Sequence, residues 1–274
     1  GGPFDRERRL PPEVLANIAA KYHLDEPWLK QYARYLNGIF RGDLGPSYKY
    51  LDRGVSDIVA ETFPVSAFLG IFAFVFALAF SFPVGICAAY YHSSWTDRWC
   101  LLIATLGISL PHFILGALLI WLFSIQLGWL QAGRWEGFTS VVLPTVTLGA
   151  APAAYLSYLL RSTLLETLAE DFIRTARAKG LRESAVLLKH ALNNSLIPTL
   201  TVLGPLSAAL ITGSFVVEYI FAIPGMGRFF ITAVTDRDYP LIMGVTLVYT
   251  VILVCANLLV DLFYSLVDPR IKSY

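Results

Sequence analysis

The sequence predicts an all-α, polytopic membrane helix bundle with five transmembrane spans. Of the 274 residues, 56% are apolar and only 15% charged, against about 25% charged in soluble domains. Five stretches contain no Asp, Glu, Lys or Arg: between Glu61 and Asp97, Arg98 and Arg134, Glu136 and Arg161, Lys189 and Glu218, and Asp238 and Asp261. Each is longer than the roughly 20 residues an apolar helix needs to cross the hydrocarbon core. Aromatic residues gather at their ends, where amphipathic rings sit in a bilayer: Tyr90, Tyr91, Trp95 and Trp99; Trp129 and Trp135; Tyr219; Tyr239 and Tyr264. Five such runs in one chain argue against a buried bundle inside a soluble domain.

The spans are placed near residues 64–91, 100–128, 139–160, 195–217 and 240–264. Residues 1–60 form a segment outside the membrane and 61–274 the transmembrane domain. In the first segment, Pro11-Pro12 opens a short helix from Glu13 to Tyr22. A second helix begins near Asp25 with Pro27 in its first turn. It places Trp28, Tyr32, Tyr35, Leu36 and Ile39 on one face and stops at Gly42. Asp43 to Ser47 read as a turn, and Ser56 as the cap of one more short helix leading to the membrane. The segment reads as a lid on the outer helix ends, as a docking surface for an external partner, or as both. Between the last two spans, Ile223-Pro224-Gly225-Met226-Gly227 suggests a type II turn with glycine at positive φ. Arg228 to Val234 then suggests a short re-entrant or interfacial helix.

Orientation follows from the basic residues. The 161–189 connection carries Arg161, Arg174, Arg177, Lys179, Arg182 and Lys189, and the C-terminal tail Arg270 and Lys272. The positive-inside rule puts both in the cytoplasm. Three spans back, residues 1–60 are then external, and an upstream sixth span is expected to carry them across. The net charge of +1 argues against nucleic-acid binding. Cys87, Cys100 and Cys255 lie in or beside apolar runs, with no metal-binding spacing, and read as core residues. With no GxxxxGK[ST] phosphate loop and no Ser/His/Asp set, the chain is expected to be neither an ATPase nor another enzyme.

The loop at about 161–195 holds the most specific pattern. Glu170 and Arg174 stand at i, i+4 with the acid first. Arg174-Thr175-Ala176-Arg177-Ala178-Lys179 then runs into Gly180-Leu181, where glycine allows a sharp turn. A second amphipathic segment follows, with Leu181, Ala185, Leu188 and Leu192 on one face. Two short helices hinged at a glycine and continuous with two spans make a lever.

This ordering resembles the loop by which permease subunits of bacterial ABC importers dock on their ATPases, in its peptide-class form. Arg174 and Thr175 stand where the general motif has Glu and Ala, and His190 and Asn193 where it has Ile and Pro. The resemblance extends along the chain and is to the B-type permease subunit of oligopeptide and dipeptide importers. It rests on Leu10 to Val14, Ala20 to Leu24, Gly42 to Ser47 and Phe63 to Ser66. It continues through Ile211 to Ser214, Ile223 to Gly227, Arg237 to Tyr239 and Asp268 to Ile271.

The resemblance implies the type I ABC importer permease fold in a bacterial inner membrane, with a sixth, N-terminal span. It implies a second, C-type permease as the other half of the pathway, two cytoplasmic ATPases that hold ATP and magnesium, and an external peptide-binding protein. The chain itself is expected to take no cofactor and no metal. Candidate pathway-lining residues are the polar groups within spans: Ser109, His112, Gln126, Ser157, Thr201, Ser207, Thr212, Ser214 and Asn257. Pro83, Pro111, Pro152, Pro198 and Pro205 remove backbone hydrogen bonds there, and Asp261 is the one ionisable group near a span's inner end. Related permeases for nickel, haem-type compounds or sugars are the nearest alternative. A self-sufficient secondary transporter would show internal repeats and intramembrane coupling charges, and neither is found.

Overall fold

In a computed structural model, the chain is described over residues 22–267, apart from positions 24, 51, 52 and 134 and the side chains at 260, 261 and 263–267. Residues 13–21 of the expected helix at 13–22, the Asp268–Ile271 phrase and the surroundings of Asp261 lie outside these residues. The described chain is helical without strands. α1 is Trp28–Phe40, α2 Val55–Tyr90, α3 Trp95–Ser109, α4 His112–Leu119, α5 Thr139–Leu168, α6 Asp171–Ala178 and α7 Glu183–Ala185. α8 is Leu192–Ile211, α9 Phe215–Ile220, α10 Met226–Asp236 and α11 Tyr239–Val267. Wide π-turns at Ile120–Gln126 and Val186–Ala191 extend α4 and join α7 to α8.

Four helical stretches are long and apolar enough to cross a membrane: α2, α5, the run from Glu183 to Ile220, and α11. The expected second span, 100–128, is not one rod. α3 and the helix His112–Gln126 meet at 108°, so the count of five holds only if this bent pair is one span. Pro111 is the cause: a residue before proline is driven out of the helical region, and Leu110 sits at φ −85, ψ 118. Pro64, Pro83, Pro144, Pro152, Pro198 and Pro205 stay inside continuous helices.

α2 is the axis of the bundle. Ser66, Gly70, Ala73, Ala77, Ser81, Gly85 and Ala88 recur every three or four residues along it, and all are buried. Without a hydrophobic force between helices in lipid, close packing of small residues drives association. α5 and α8 approach this stripe closely. A Cβ on Gly70 would lie 2.2 Å from the Leu210 carbonyl oxygen.

Other expectations change at the ends. The separate short helix after Ser56 is absent: α2 starts at Val55, and Ser56 instead accepts from Leu44 N and donates to Gly42 O, both at 2.9 Å. The expected 195–217 span stops earlier, at Ile211, where Gly213 (φ +91) breaks it. The common face expected of α1 is divided. Tyr35 and Ile39 turn inward, while Trp28 and Tyr32 are exposed, because only one edge of α1 meets the bundle.

Candidate functional site at the two ends of the bundle

One end carries the Gly180 loop. α6 begins after Glu170 (ψ 152) and ends at Ala178, capped by Lys179, and Gly180 lies at φ +78, in the left-handed region that favours glycine. α6 is strongly amphipathic. Ile173 and Ala176 are buried against Leu160 and Leu164 of α5, Ala89 of α2 and Val186, Leu187 and Ala191 beyond the turn. Arg174, Thr175, Arg177, Ala178, Lys179, Gly180 and Leu181 are all exposed. Seven of the eight singled-out residues thus make one surface, and Ala176 anchors it from below. Arg177 closes the turn by pairing with Glu183, Nε to Oε1 2.7 Å.

Three local expectations are corrected. Glu170 precedes α6 in an extended conformation, so Arg174 pairs with Asp171 instead, at 3.3 Å. The buried face of the second segment is Val186, Leu187 and Ala191, while Leu181 and Leu188 are exposed. The wider π-turn over 186–191 shifts the phase away from the α-helical spacing. The lever is also continuous on one side only, from Glu183 into α8. On the other side, residues 169–170 separate α6 from α5. A crevice of about 300 Å³ lies between the second segment and α2, lined by Pro83, Ile86, Cys87, Tyr90, Ser184 and Leu188 among others.

Behind this loop, α5 is tied to the α2–α3 corner. Asp97 is buried and takes both Arg161 nitrogens, Nε to Oδ1 at 2.8 Å and Nη2 to Oδ2 at 2.7 Å. Ser93 N also donates to Asp97 Oδ2 at 3.0 Å, and His92 Nδ1 stands 3.1 Å from Arg161 Nη2.

At the opposite end, two buried carboxylates receive backbone amides. Asp238 accepts from Tyr48 N at 3.1 Å, Lys49 N at 3.3 Å and Leu241 N at 3.3 Å, and from the Ser47 hydroxyl. It clasps the 43–50 segment to the start of α11. Burial, with Asp238 nearby, pushes the Tyr48 phenol above its ordinary value. Glu218 accepts from Ser66 Oγ at 2.8 Å and Arg228 N at 3.0 Å. Gly225 is not at positive φ (φ −98), so no type II turn forms. What it supplies is room: a Cβ there would lie 2.5 Å from both Glu218 Cδ and Ser66 Oγ.

These contacts bring together phrases far apart in sequence: 42–47 with 237–239, and 63–66 with 223–227. The clasp residues Asp97, Arg161, Glu218 and Asp238 carried a visible signal, since each bounds a charge-free stretch. That signal marks span ends and does not say which charges or amides pair across the fold.

The model of the "Binding-protein-dependent transport system inner membrane component" family matches residues 81–273. The chain belongs to this family. It is 43% identical over 274 residues to the oligopeptide transport system permease protein OppB of Haemophilus influenzae, covering 99% of this chain and 90% of that one. It is 46% identical to the dipeptide transport system permease protein DppB of Bacillus subtilis, covering 100% and 89%. Two solved structures share its fold. An amino acid ABC transporter gives a TM-score of 0.58 at 16% identity, over 75% of this chain and 92% of that one. The MetNI methionine ABC transporter, in inward facing conformations, gives 0.59 at 19%, over 74% and 95%. The chain is therefore a multi-pass inner-membrane permease of the type I ABC importer fold, a non-enzymatic membrane subunit.

Within this permease the expected pathway residues are scattered. Ser109, Gln126 and Thr201 are exposed, Ser157 and Thr212 buried, and His112, Ser207, Ser214 and Asn257 half-buried. Several bond their own helix: Ser157 to Ala153 O at 2.7 Å, Thr212 to Ala208 O at 2.9 Å and Ser207 to Gly204 O at 2.8 Å. His112 Nδ1 reaches Thr147 O at 3.0 Å, pinning the bend after Pro111 to α5. Asn257 lies against Gly204, where a Cβ would come within 2.5 Å of its Oδ1.

Proposed function

We propose that this permease is the B-type subunit of an ATP-driven peptide importer. It forms one half of a heterodimeric pathway with a C-type permease, and the Gly180 loop receives the motion of two ATPases that hold ATP and magnesium. The observation that carries this reading is the loop itself. An exposed ridge from Arg174 to Leu181 is anchored by Ile173 and Ala176, and the second half of the loop runs as continuous helix from Glu183 to Ile211. A push on the ridge reaches α8 through backbone hydrogen bonds rather than through side chains alone.

On this reading the loop end is cytoplasmic and the 43–50 and 223–238 segments are external, where a peptide-binding protein delivers its cargo. The polar groups Ser109, His112, Gln126, Ser157, Thr201, Ser207, Thr212, Ser214 and Asn257 are candidates for lining the pathway, the exposed ones first. Peptide as cargo rests on the names of the relatives.

The test is uptake of labelled tripeptide by proteoliposomes holding both permeases and both ATPases, with the binding protein added. ATP-dependent uptake is expected, and Gly180→Trp should abolish uptake while ATP hydrolysis continues. Uptake of nickel, haem-type compounds or sugars in place of peptide would replace the cargo assignment. Transport by the chain alone down an ion gradient would refute the importer reading.

A further inference from the structure

α10 is a helix of 11 residues whose first amides need acceptors, and none comes from its own cap residue, Gly225. They are satisfied from elsewhere in the fold. Met226 N donates to Ser66 Oγ at 2.7 Å, Ser66 Oγ donates to Glu218 Oε1 at 2.8 Å, and Arg228 N donates to Glu218 Oε2 at 3.0 Å. The amides of Gly227 and Ser214 also turn to the carboxylate. Ser66 belongs to α2 and Glu218 to α9, so one cluster joins three helices. Both side chains are fully buried. Among the described residues no basic side chain pairs with Glu218.

A buried carboxylate without a cation is costly unless hydrogen bonds replace its water, and here the N-terminus of α10 supplies both amides and a favourable dipole. The sequence is fitted to this carboxylate. A Cβ on Gly213 would lie 2.2 Å from its Oε1, and one on Gly227 3.1 Å from its Oε2. At its other end α10 passes through Arg237 directly into Asp238, which clasps α11 and the 43–50 segment.

We propose that Ser66 and Glu218 are positioning residues for transport. They pin the N-terminus of α10 to α2 and hold α10 as a strut between α2 and α11 throughout the cycle. Apolar contacts allow sliding, whereas this cluster is directional and cannot slip without stripping a buried carboxylate of its donors. The role in transport rests on the importer reading; the pin itself does not.

The test uses the full transporter in nanodiscs. Spin labels go on Ala60→Cys and Val234→Cys, both at exposed positions of α2 and α10, with Cys87, Cys100 and Cys255 replaced. One unchanged distance is expected in the nucleotide-free and ATP-trapped states, broadening in Glu218→Gln and Ser66→Ala. Maximal uptake of labelled trialanine should fall roughly tenfold, the weight of one lost hydrogen bond to a charged group. The concentration of loaded binding protein giving half-maximal rate should stay unchanged. The double variant should be little worse than either single one, because both act through one cluster.

A wild-type distance that changes between states, variants that keep the narrow distance and full rate, or losses that multiply would each overturn the proposal. Amide exchange over 223–236 reads the pin on the chain without partners. Protection there should fall in Glu218→Gln while that of α11 stays, and unchanged protection would refute the pin. If wild-type vesicles import no peptide while the exchange result holds, the cargo assignment fails and the pin stands.

Discussion

The two ends of the bundle are both fastened by carboxylates, but by different donors. At the 223–238 end, Glu218 and Asp238 accept mainly backbone amides and serine hydroxyls. At the Gly180 end, Asp97 and Glu183 accept from the guanidinium groups of Arg161 and Arg177. A carboxylate held by amides fixes the backbone itself, since each donor belongs to a turn that cannot move independently. A carboxylate held by arginine is tethered through several rotatable bonds, so the helices behind it can shift while the pair persists. Added to this, the loop end has an exposed glycine hinge and a crevice beneath it. On the proposed reading, one end is built for constant geometry and the other for transmitted motion.

The contrast can be broken by substitution. The largest effect is expected from Asp97→Ala, which leaves Arg161, only 19% exposed, without its partner. Loss of about 3–5 kcal/mol is expected, read by unfolding in a mixed-micelle titration, and a loss under about 1 kcal/mol would show the pair to be well solvated. Next comes Asp238→Asn, which turns an amide group toward the N–H donors of Tyr48 and Lys49. About 2 kcal/mol is expected, with protease cleavage appearing in 43–50 while α2 and α5 stay intact. Cleavage spread evenly over the chain would count against a local clasp.

Gly180→Ala should cost only about 1 kcal/mol, from the positive φ alone; nothing lies within 4 Å of a Cβ there. A larger stability loss would mean that the hinge is packed rather than free. The smallest effect is expected for Glu183→Ala. The Arg177–Glu183 pair is 43% and 53% exposed, so it should contribute less than about 1 kcal/mol and fade with salt. Unfolding of the Asp238 clasp should show no such salt dependence.

Much of this was legible beforehand. Charge-free stretches and end aromatics gave the membrane class, and Gly180 declared its turn, because lipid and backbone sterics act on local composition. Where reading stopped, the cause was non-local or cooperative. Ser56 looks like a cap because its type favours caps; it is a helix residue stitching a turn 12 positions back. Leu188 looks buried under a 3.6-residue period, and a π-turn exposes it. Gly225 looks like a turn residue, yet it is small because a carboxylate from another helix sits against it.

By itself, the sequence determined a membrane bundle, the approximate places of its spans, a proline at position 111 inside the second of them, and the family resemblance. These follow from one-dimensional quantities: run length, charge and residue order. Only the tertiary structure decided that the second span bends by 108°, that Asp97 meets Arg161, and that Ser66, Glu218 and Met226 form one cluster. Such partners lie 64, 152 and 160 positions apart. A buried charge must find its donors wherever the fold brings them, and no local pattern names which they will be.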